Sequence, residues 1–154
     1  MLVVAILGDS RDQVLLIDMK TYTELITLPT FEERFEYLKL SSGVGIETFG
    51  HDRYLNQIFY QTPEWRRARR DVIIRDEGND LAHFDHPLSG TLYIHHIEPI
   101  TVEDVLNRSS KLFDLDNLVT VSFNTHQAIH YGDSNQLLPS KPVERRPFDQ
   151  CPWR

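Results

Sequence analysis

Four of the seven histidines in this 154-residue chain lie between positions 95 and 130, and they form two pairs of different spacing. His95 and His96 are adjacent at the end of an apolar segment, residues 91–94, which we predict to be a β-strand. His126 and His130 are four apart in a segment predicted to be helical, so their rings should project from one helix face. Two imidazoles at that spacing can bind one divalent metal ion. The chain is therefore expected to pack a strand against a helix, with His95 as a third ligand beside His126 and His130.

His96 is expected to have a different role from His95, because successive side chains on a strand point to opposite faces. A histidine that does not bind the metal is free to act as a general base, since imidazole titrates near neutral pH. Asn117 directly precedes a second predicted strand, Leu118–Val121, and its amide is placed to tie the loop between the strands and hold His96. A base beside a metal ion that neutralises phosphate charge suits the hydrolysis of a phosphodiester.

Three segments carry a resemblance to a known family. Residues 93–99 read YIHHIEP, residues 116–118 read DNL and residues 126–130 read HQAIH. Together they resemble the signature of the HNH endonucleases, and the similarity extends over residues 66–132. The resemblance implies an α+β fold whose core is the ββα-metal motif, in which two strands and a helix clamp one metal ion.

The resemblance also implies roles, most closely those of the subgroup with paired histidines that includes the colicin-type DNases. The metal ligands would be His95, His126 and His130, whereas His96 would be the general base and Asn117 the residue that orients the loop. The reaction would be hydrolysis of DNA by an activated water, leaving a 5′-phosphate and a 3′-hydroxyl. The cofactor would be one divalent ion, either Mg, Mn, Ni or Zn.

The chain departs from many HNH proteins in one respect. Those relatives carry two Cys-x-x-Cys pairs that bind a structural zinc around the motif. The matching positions here are Asp80 with His83 and Ser122 with Thr125. Because serine and threonine are poor zinc ligands, we expect no structural zinc, and we expect packing to hold the fold. A second metal site at Asp80 and His83 is the less favoured interpretation.

Positive charge is concentrated in one predicted helix. The formal net charge of −7 argues against a protein coated in DNA-binding charge, so contact with DNA must depend on local charge. Thr62-Pro63-Glu64 is a typical helix start, and the helix is predicted to run to about residue 75. Although a run of arginines is often a solvated face, we interpret these side chains as contacts to DNA phosphates: Arg66, Arg67, Arg69, Arg70 and Arg75.

The chain divides into four predicted segments. They are a β-hairpin or an upstream extension of a gene starting at Met19 (residues 1–18), a helical lead-in (19–61), the HNH nuclease core (62–136) and an irregular proline-rich tail (137–154). In the lead-in, Thr30 and Glu33 have the spacing of a capping box, which predicts a helix start.

Parts of the chain outside the motif are similar to small phage-encoded HNH proteins, notably residues 60–66 and 144–154. That similarity implies DNA as the partner, with phage packaging proteins such as terminase as further candidates. No apolar run approaches the ~20 residues that span a bilayer, so no membrane association is expected. The single cysteine, Cys151, is consistent with a reducing cytoplasm, which would be that of the host for a phage protein.

The main alternative to a nuclease is a noncatalytic DNA-binding or phage packaging and assembly module that keeps the HNH fold and its metal. A complete residue set that includes His96 argues against this alternative, because DNA binding alone does not need a general base.

Overall fold

The computed structural model describes residues 19–40 and 58–137, which form an α+β arrangement of helices around one two-stranded antiparallel sheet. The α-helices and strands with both ends described are, in chain order, α1 (Tyr22–Leu25), α2 (Phe31–Leu38), α3 (Pro63–Arg75), β1 (Tyr93–His96), α4 (Val102–Leu106), β2 (Leu118–Val121) and α5 (Phe123–Tyr131). The hairpin predicted for residues 1–18 and the tail beyond Leu137 lie outside the described residues. Among the helices of residues 19–40 and 58–137, none is long and apolar enough to cross a membrane.

Two helix starts agree with the capping signals in the sequence. The Thr30 hydroxyl accepts a hydrogen bond from the main-chain N–H of Glu33, and the Glu33 carboxylate accepts one from the main-chain N–H of Thr30, which completes a capping box at α2. At α3, the Thr62 hydroxyl accepts from the main-chain N–H of Trp65, and Pro63 occupies the first turn. The predicted extent of the basic helix is confirmed, because α3 ends at residue 75.

The two strands show where local sequence was sufficient and where it was not. The predicted bounds of β2 are confirmed, but β1 spans Tyr93–His96 and lies two residues later than the predicted strand at 91–94. The antiparallel register pairs Tyr93 with Val121 and His96 with Leu118. The bounds of β1 are therefore those of the four residues that pair with β2. Both histidines of the adjacent pair therefore lie within the strand, not after it.

Strand β2 is buried along its whole length because both of its faces are covered. Val119 and Val121 belong to one core cluster with residues of α1, α2 and α5, whereas Leu118 belongs to a second cluster with residues of α3. Strand β1 is divided in the same way, since Ile94 packs with the α3 cluster and His95 contacts α5. The sheet thus places α3 and α5 on opposite sides of β1.

Three of the four positions that the sequence comparison set against cysteine pairs are joined by hydrogen bonds, namely Asp80, Ser122 and Thr125. The buried Asp80 carboxylate accepts from the Thr125 hydroxyl at 2.6 Å and from the main-chain N–H of Ser122 at 3.2 Å. Burial raises the pKa of Asp80, and these hydrogen bonds oppose that shift. The buried His83 ring bonds instead to the carbonyl oxygen of Pro29 through Nε2, at 3.2 Å. Asp80 therefore links the turn after α3 to the start of α5.

Candidate metal centre

Three histidines converge between β1 and α5. We call His95, His126 and His130 the histidine cluster; each offers a ring nitrogen, and the three nitrogens all lie within 4.8 Å of one another. The Nε2 atoms of His126 and His130 are 3.2 Å apart. The centroid of the His95 ring lies 5.5 Å from that of His126 and 5.1 Å from that of His130. The structure therefore brings together all three sequence-predicted ligands.

The spacing of the cluster suits one metal ion. Two imidazole nitrogens that each lie ~2.0–2.1 Å from a tetrahedral ion are about 3.3 Å from each other. The His126–His130 separation matches that value, and the ligand atom of His95 lies within 4.8 Å of the other two. His95 is buried, whereas His126 and His130 are half-buried, so part of the cluster is accessible to solvent.

The protonation state of the cluster also suits a metal. Burial is the main cause that lowers the pKa of His126 to about 4, and the neighbouring His130 adds to the effect. Burial likewise lowers the pKa of His130, and the pKa of His95 is held well below its usual value by burial and by both neighbours. At neutral pH all three rings are neutral, which is the form that binds metal ions.

His96 lies on the opposite face of β1 and contacts α3. Its ring stacks on Trp65, with the centroids 5.5 Å apart and the planes 19° from parallel. Its Nε2 atom lies 3.2 Å from the carbonyl oxygen of Leu112. Because a carbonyl oxygen can only accept, Nε2 carries the proton and Nδ1 carries the lone pair. Burial lowers the pKa of His96 to about 4, against the raising effect of the Leu112 hydrogen bond, so the ring is neutral at pH 7.

One cavity connects His96 with the histidine cluster. A pocket of about 130 Å³ at this end of β1 is lined by His96 and by all three histidines of the cluster, with Tyr60 among its other walls. The adjacent histidines start on opposite faces of the strand, yet both border the same space. A substrate in this cavity would be able to contact the cluster and His96 at the same time.

Asn117 ties together the loop between the two strands. Its Oδ1 accepts from the main-chain N–H of Glu98 at 2.7 Å, and its Nδ2 donates to the carbonyl oxygen of Lys111 at 3.1 Å. Lys111 precedes Leu112, whose carbonyl oxygen receives the His96 hydrogen bond. Asn117 is buried and therefore fixes the segment that orients His96.

The five predicted DNA-contacting arginines fall into two groups. Arg66, Arg67 and Arg70 are exposed on α3, and we call them the basic face; Arg70 is paired with Asp71 at 3.0 Å. Arg69 is half-buried and donates to the carbonyl oxygen of Leu92 at 2.9 Å.

Arg75 is committed to the interior of the fold. Its guanidinium bonds to the buried Asp76 carboxylate at 2.8 Å and to the carbonyl oxygen of Leu118 at 2.7 Å, and it lies 3.2 Å from the centroid of the Tyr22 ring. The interpretation of Arg75 as a DNA phosphate contact stays a prediction, although these partners already engage its guanidinium within the fold. The repeat of arginines along α3 gave no sign that its last member would turn inward.

Two parts of the site were not identified from the sequence. The Leu112 carbonyl fixes the orientation of His96, but a main-chain oxygen has no residue-type signature. Trp65 carries no sign of a site role in the sequence, although its ring supports His96 by stacking. Both contacts join residues far apart in the chain and depend on how α3 and the loop pack on β1.

No protein-family model, curated protein or solved structure matches this chain. The similarity to HNH endonucleases therefore remains a resemblance of short segments, and the function has to be inferred from the residues and geometry of the site.

Proposed function

We propose that this chain is a metal-dependent DNA endonuclease of the HNH type, with β1, β2 and α5 as its ββα-metal core. The observation that carries the proposal is the shared cavity, in which a histidine held in one tautomer borders the same space as a three-histidine cluster. A site that only bound a metal would need the cluster alone. A neutral imidazole with an oriented lone pair adds a proton acceptor to it.

His95, His126 and His130 would hold one divalent ion. Their all-nitrogen donor set favours Zn or Ni over Mg, which prefers oxygen ligands. Such an ion supplies charge neutralisation at the phosphate and at the oxygen that leaves. The neutral state of the three rings at pH 7 fits this use, because no proton has to be displaced for the ligands to bind.

His96 would act as the general base. Its Nδ1 lone pair would accept a proton from a water whose oxygen forms a bond to the phosphorus of the scissile phosphodiester. The bond from phosphorus to the 3′ oxygen would break, and that oxygen would leave with the electron pair and become a 3′-hydroxyl on protonation. The 5′ side would retain the phosphate. The negative phosphate would raise the pKa of the buried His96 and so strengthen it as a base at the moment of reaction.

Two residues would keep His96 aligned during proton transfer. The Leu112 carbonyl would continue to accept from Nε2–H and would stabilise the imidazolium that forms. Asn117 would act as a positioning residue through its hydrogen bond to Lys111. The residues that hold the base are thus separate from the residues of the histidine cluster.

The basic face would supply contacts to DNA phosphates. The chain as a whole has a net charge of −7. On α3, however, Arg66, Arg67 and Arg70 are exposed and make the surface locally positive. Arg69 bonds to the carbonyl oxygen of Leu92, which directly precedes β1, so α3 reaches the strand that bears His95 and His96. Arg75 is left out of the proposed interface because its guanidinium is bound inside the fold.

The proposal is tested by plasmid nicking with Mg²⁺, Mn²⁺, Ni²⁺ or Zn²⁺, each compared with EDTA. The wild-type chain should convert supercoiled plasmid with at least one of these ions and not in EDTA. His126→Gln should lose this activity, whereas Gln127→Ala, a change at the neighbouring position of α5, should retain it. If the purified chain binds DNA but cuts with none of the four ions, the noncatalytic packaging or assembly module is the correct alternative.

A further inference from the structure

Two aromatic side chains are exposed beside the histidine cluster. Tyr93 is 36% exposed and Phe123 is 52% exposed, and their ring centroids are 5.7 Å apart at an angle of 53°. We call these two residues the aromatic pair. Neither ring belongs to the two core clusters of the described residues, although both are large and apolar. Exposed apolar rings that adjoin a candidate site are a common feature of binding surfaces.

The aromatic pair continues the surface that carries the cluster. Tyr93 lies two residues before His95 and therefore on the same face of β1. Phe123 lies three residues before His126 and seven before His130, which places it along the same side of α5. The centroid of the Tyr93 ring is 6.0 Å from that of His126.

Positive charge adjoins the same place. Arg69 of α3 donates to the carbonyl oxygen of Leu92, the residue directly before Tyr93. The aromatic pair therefore has His126 of the candidate metal centre on one side. On its other side is Leu92, whose carbonyl oxygen accepts the hydrogen bond from Arg69. A ligand that spans this surface would meet the aromatic rings and the candidate metal site in succession, with Arg69 near the edge of the surface at Leu92.

From this arrangement we infer that Tyr93 and Phe123 form a stacking subsite for an unpaired nucleobase adjacent to the scissile phosphate. The inference rests on the proposed nuclease function and extends it to the class of DNA that the site prefers. Stacking on aromatic side chains accepts every base, because every base has a π-face, and cationic side chains follow the phosphate backbone. The faces of a base inside an uninterrupted duplex are already covered by its neighbours. The site should therefore prefer single strands, frayed ends or unpaired junctions.

The test measures DNA binding in EDTA, so that cleavage does not contribute to the result. The wild-type chain should bind a labelled single strand more tightly than the duplex of the same sequence. Tyr93→Leu and Phe123→Leu should each weaken single-strand binding by about tenfold and leave duplex binding unchanged. Phe84→Leu is the matched control, because Phe84 is an exposed ring that stacks on His83 instead of lying beside the cluster.

Binding to a fully abasic strand distinguishes the contribution of base stacking to affinity from the contribution of phosphate charge. This strand keeps the phosphates but offers no base, so the leucine variants should bind it as tightly as the wild-type chain. If both variants bind the ordinary single strand with unchanged affinity, or if the wild-type chain shows no preference for single strands, the stacking subsite is wrong. The aromatic pair would then be better explained as a surface for a protein partner.

Two conservative variants keep the inference testable if a leucine variant does not fold. Tyr93→Phe retains the ring and should preserve the preference for single strands. Phe123→Trp places an indole in the subsite, and its fluorescence should be quenched by single-stranded DNA but not by the abasic strand; equal emission in both would overturn the inference. A chain that shows ring-dependent binding but never nicks plasmid would overturn only the nuclease function, whereas active nicking with ring-independent binding would overturn only the subsite.

Discussion

The Nε2 atom of His96 lies 3.2 Å from the carbonyl oxygen of Leu112, a residue sixteen positions further along the chain. This hydrogen bond fixes the tautomer of His96 and leaves its Nδ1 as the acceptor. His95, its neighbour in sequence, has no such role because its ring lies against His126 and His130. Two adjacent residues of the same type therefore occupy different chemical environments, and this difference yields the first prediction.

Substitution of the two histidines should separate metal binding from catalysis. His95→Ala should weaken both metal affinity and plasmid nicking, because it removes one of three ligands. His96→Ala should keep metal affinity and DNA binding but reduce nicking by ~10²–10⁴-fold, the usual contribution of a positioned base. Metal titration and nicking rates are measured for both variants, with His86→Gln as a histidine control outside the cavity. Normal cutting by His96→Ala, or loss of metal from that variant alone, would reverse the assignment.

Asn117 should affect both stability and cleavage. Asn117→Asp keeps an acceptor for the main-chain N–H of Glu98. It replaces Nδ2, which donates to the carbonyl oxygen of Lys111 in the wild-type chain, with an oxygen that cannot donate. We expect a loss of about 1–3 kcal/mol in the free energy of unfolding, the cost of an unmet buried hydrogen bond. Nicking should fall by about 10–100-fold while metal affinity changes little, because the disturbed loop holds His96. Urea denaturation and metal titration test both parts, and a loss of metal affinity equal to that of His95→Ala would contradict the positioning role.

The arginines of α3 should divide into DNA contacts and structural residues. Arg67→Gln, on the basic face, should weaken DNA binding and reduce the slope of log affinity against log salt by about 0.9 for each lost phosphate contact, with no change in the melting temperature. Arg75→Gln should instead lower stability by about 1.5–3 kcal/mol, because it leaves the buried Asp76 carboxylate without its cation. Fluorescence anisotropy over a salt series and thermal melting compare the two variants. If Arg67→Gln leaves the salt slope unchanged, the basic face is a solvated surface only.

The metal-free protein should lose stability as the pH falls below about 6.5. The pKa values of His96 and His126 are lowered to about 4 in the folded chain, and those of His95 and His130 are also lowered. In the unfolded chain these groups take up protons near their usual pKa of ~6.5, so between that pH and about 4 the unfolded state binds more protons than the folded state. Their contribution to stability is thus complete above ~6.5 and declines towards pH 4.

Melting temperatures measured in EDTA from pH 8 to pH 4 test whether stability declines as the pH falls. A variant with His126→Gln and His130→Gln lacks two of the four groups, so its melting temperature should fall less over the same range. The difference between the two curves isolates the histidines from the buried Asp80, whose raised pKa acts in the opposite direction. Parallel curves for the variant and the wild-type chain would show that these two rings do not contribute.

The sequence by itself determined the features that depend on neighbouring residues. Capping chemistry at Thr30 and Thr62 identified the starts of α2 and α3. A local signal of the same kind lies at the end of α5, where Gly132 takes φ = 64°, a conformation that glycine adopts without a steric penalty. The helical spacing of His126 and His130 was enough to place both rings on one side of α5. These signals act over one or two helical turns, so no knowledge of the fold was needed.

Only the tertiary structure decided the features that join distant parts of the chain. The pairing with β2 moved β1 two residues along and brought both histidines into the strand. The packing of α3 on the sheet turned Arg75 inward, and the loop before β2 presented the Leu112 carbonyl to His96. Such contacts arise between main-chain atoms and side chains that lie far apart in sequence, and their energies depend on burial and geometry instead of residue type. For this reason the sequence could nominate the histidines and place His95 and His96 on opposite strand faces, but the contacts that hold the His96 ring required the fold.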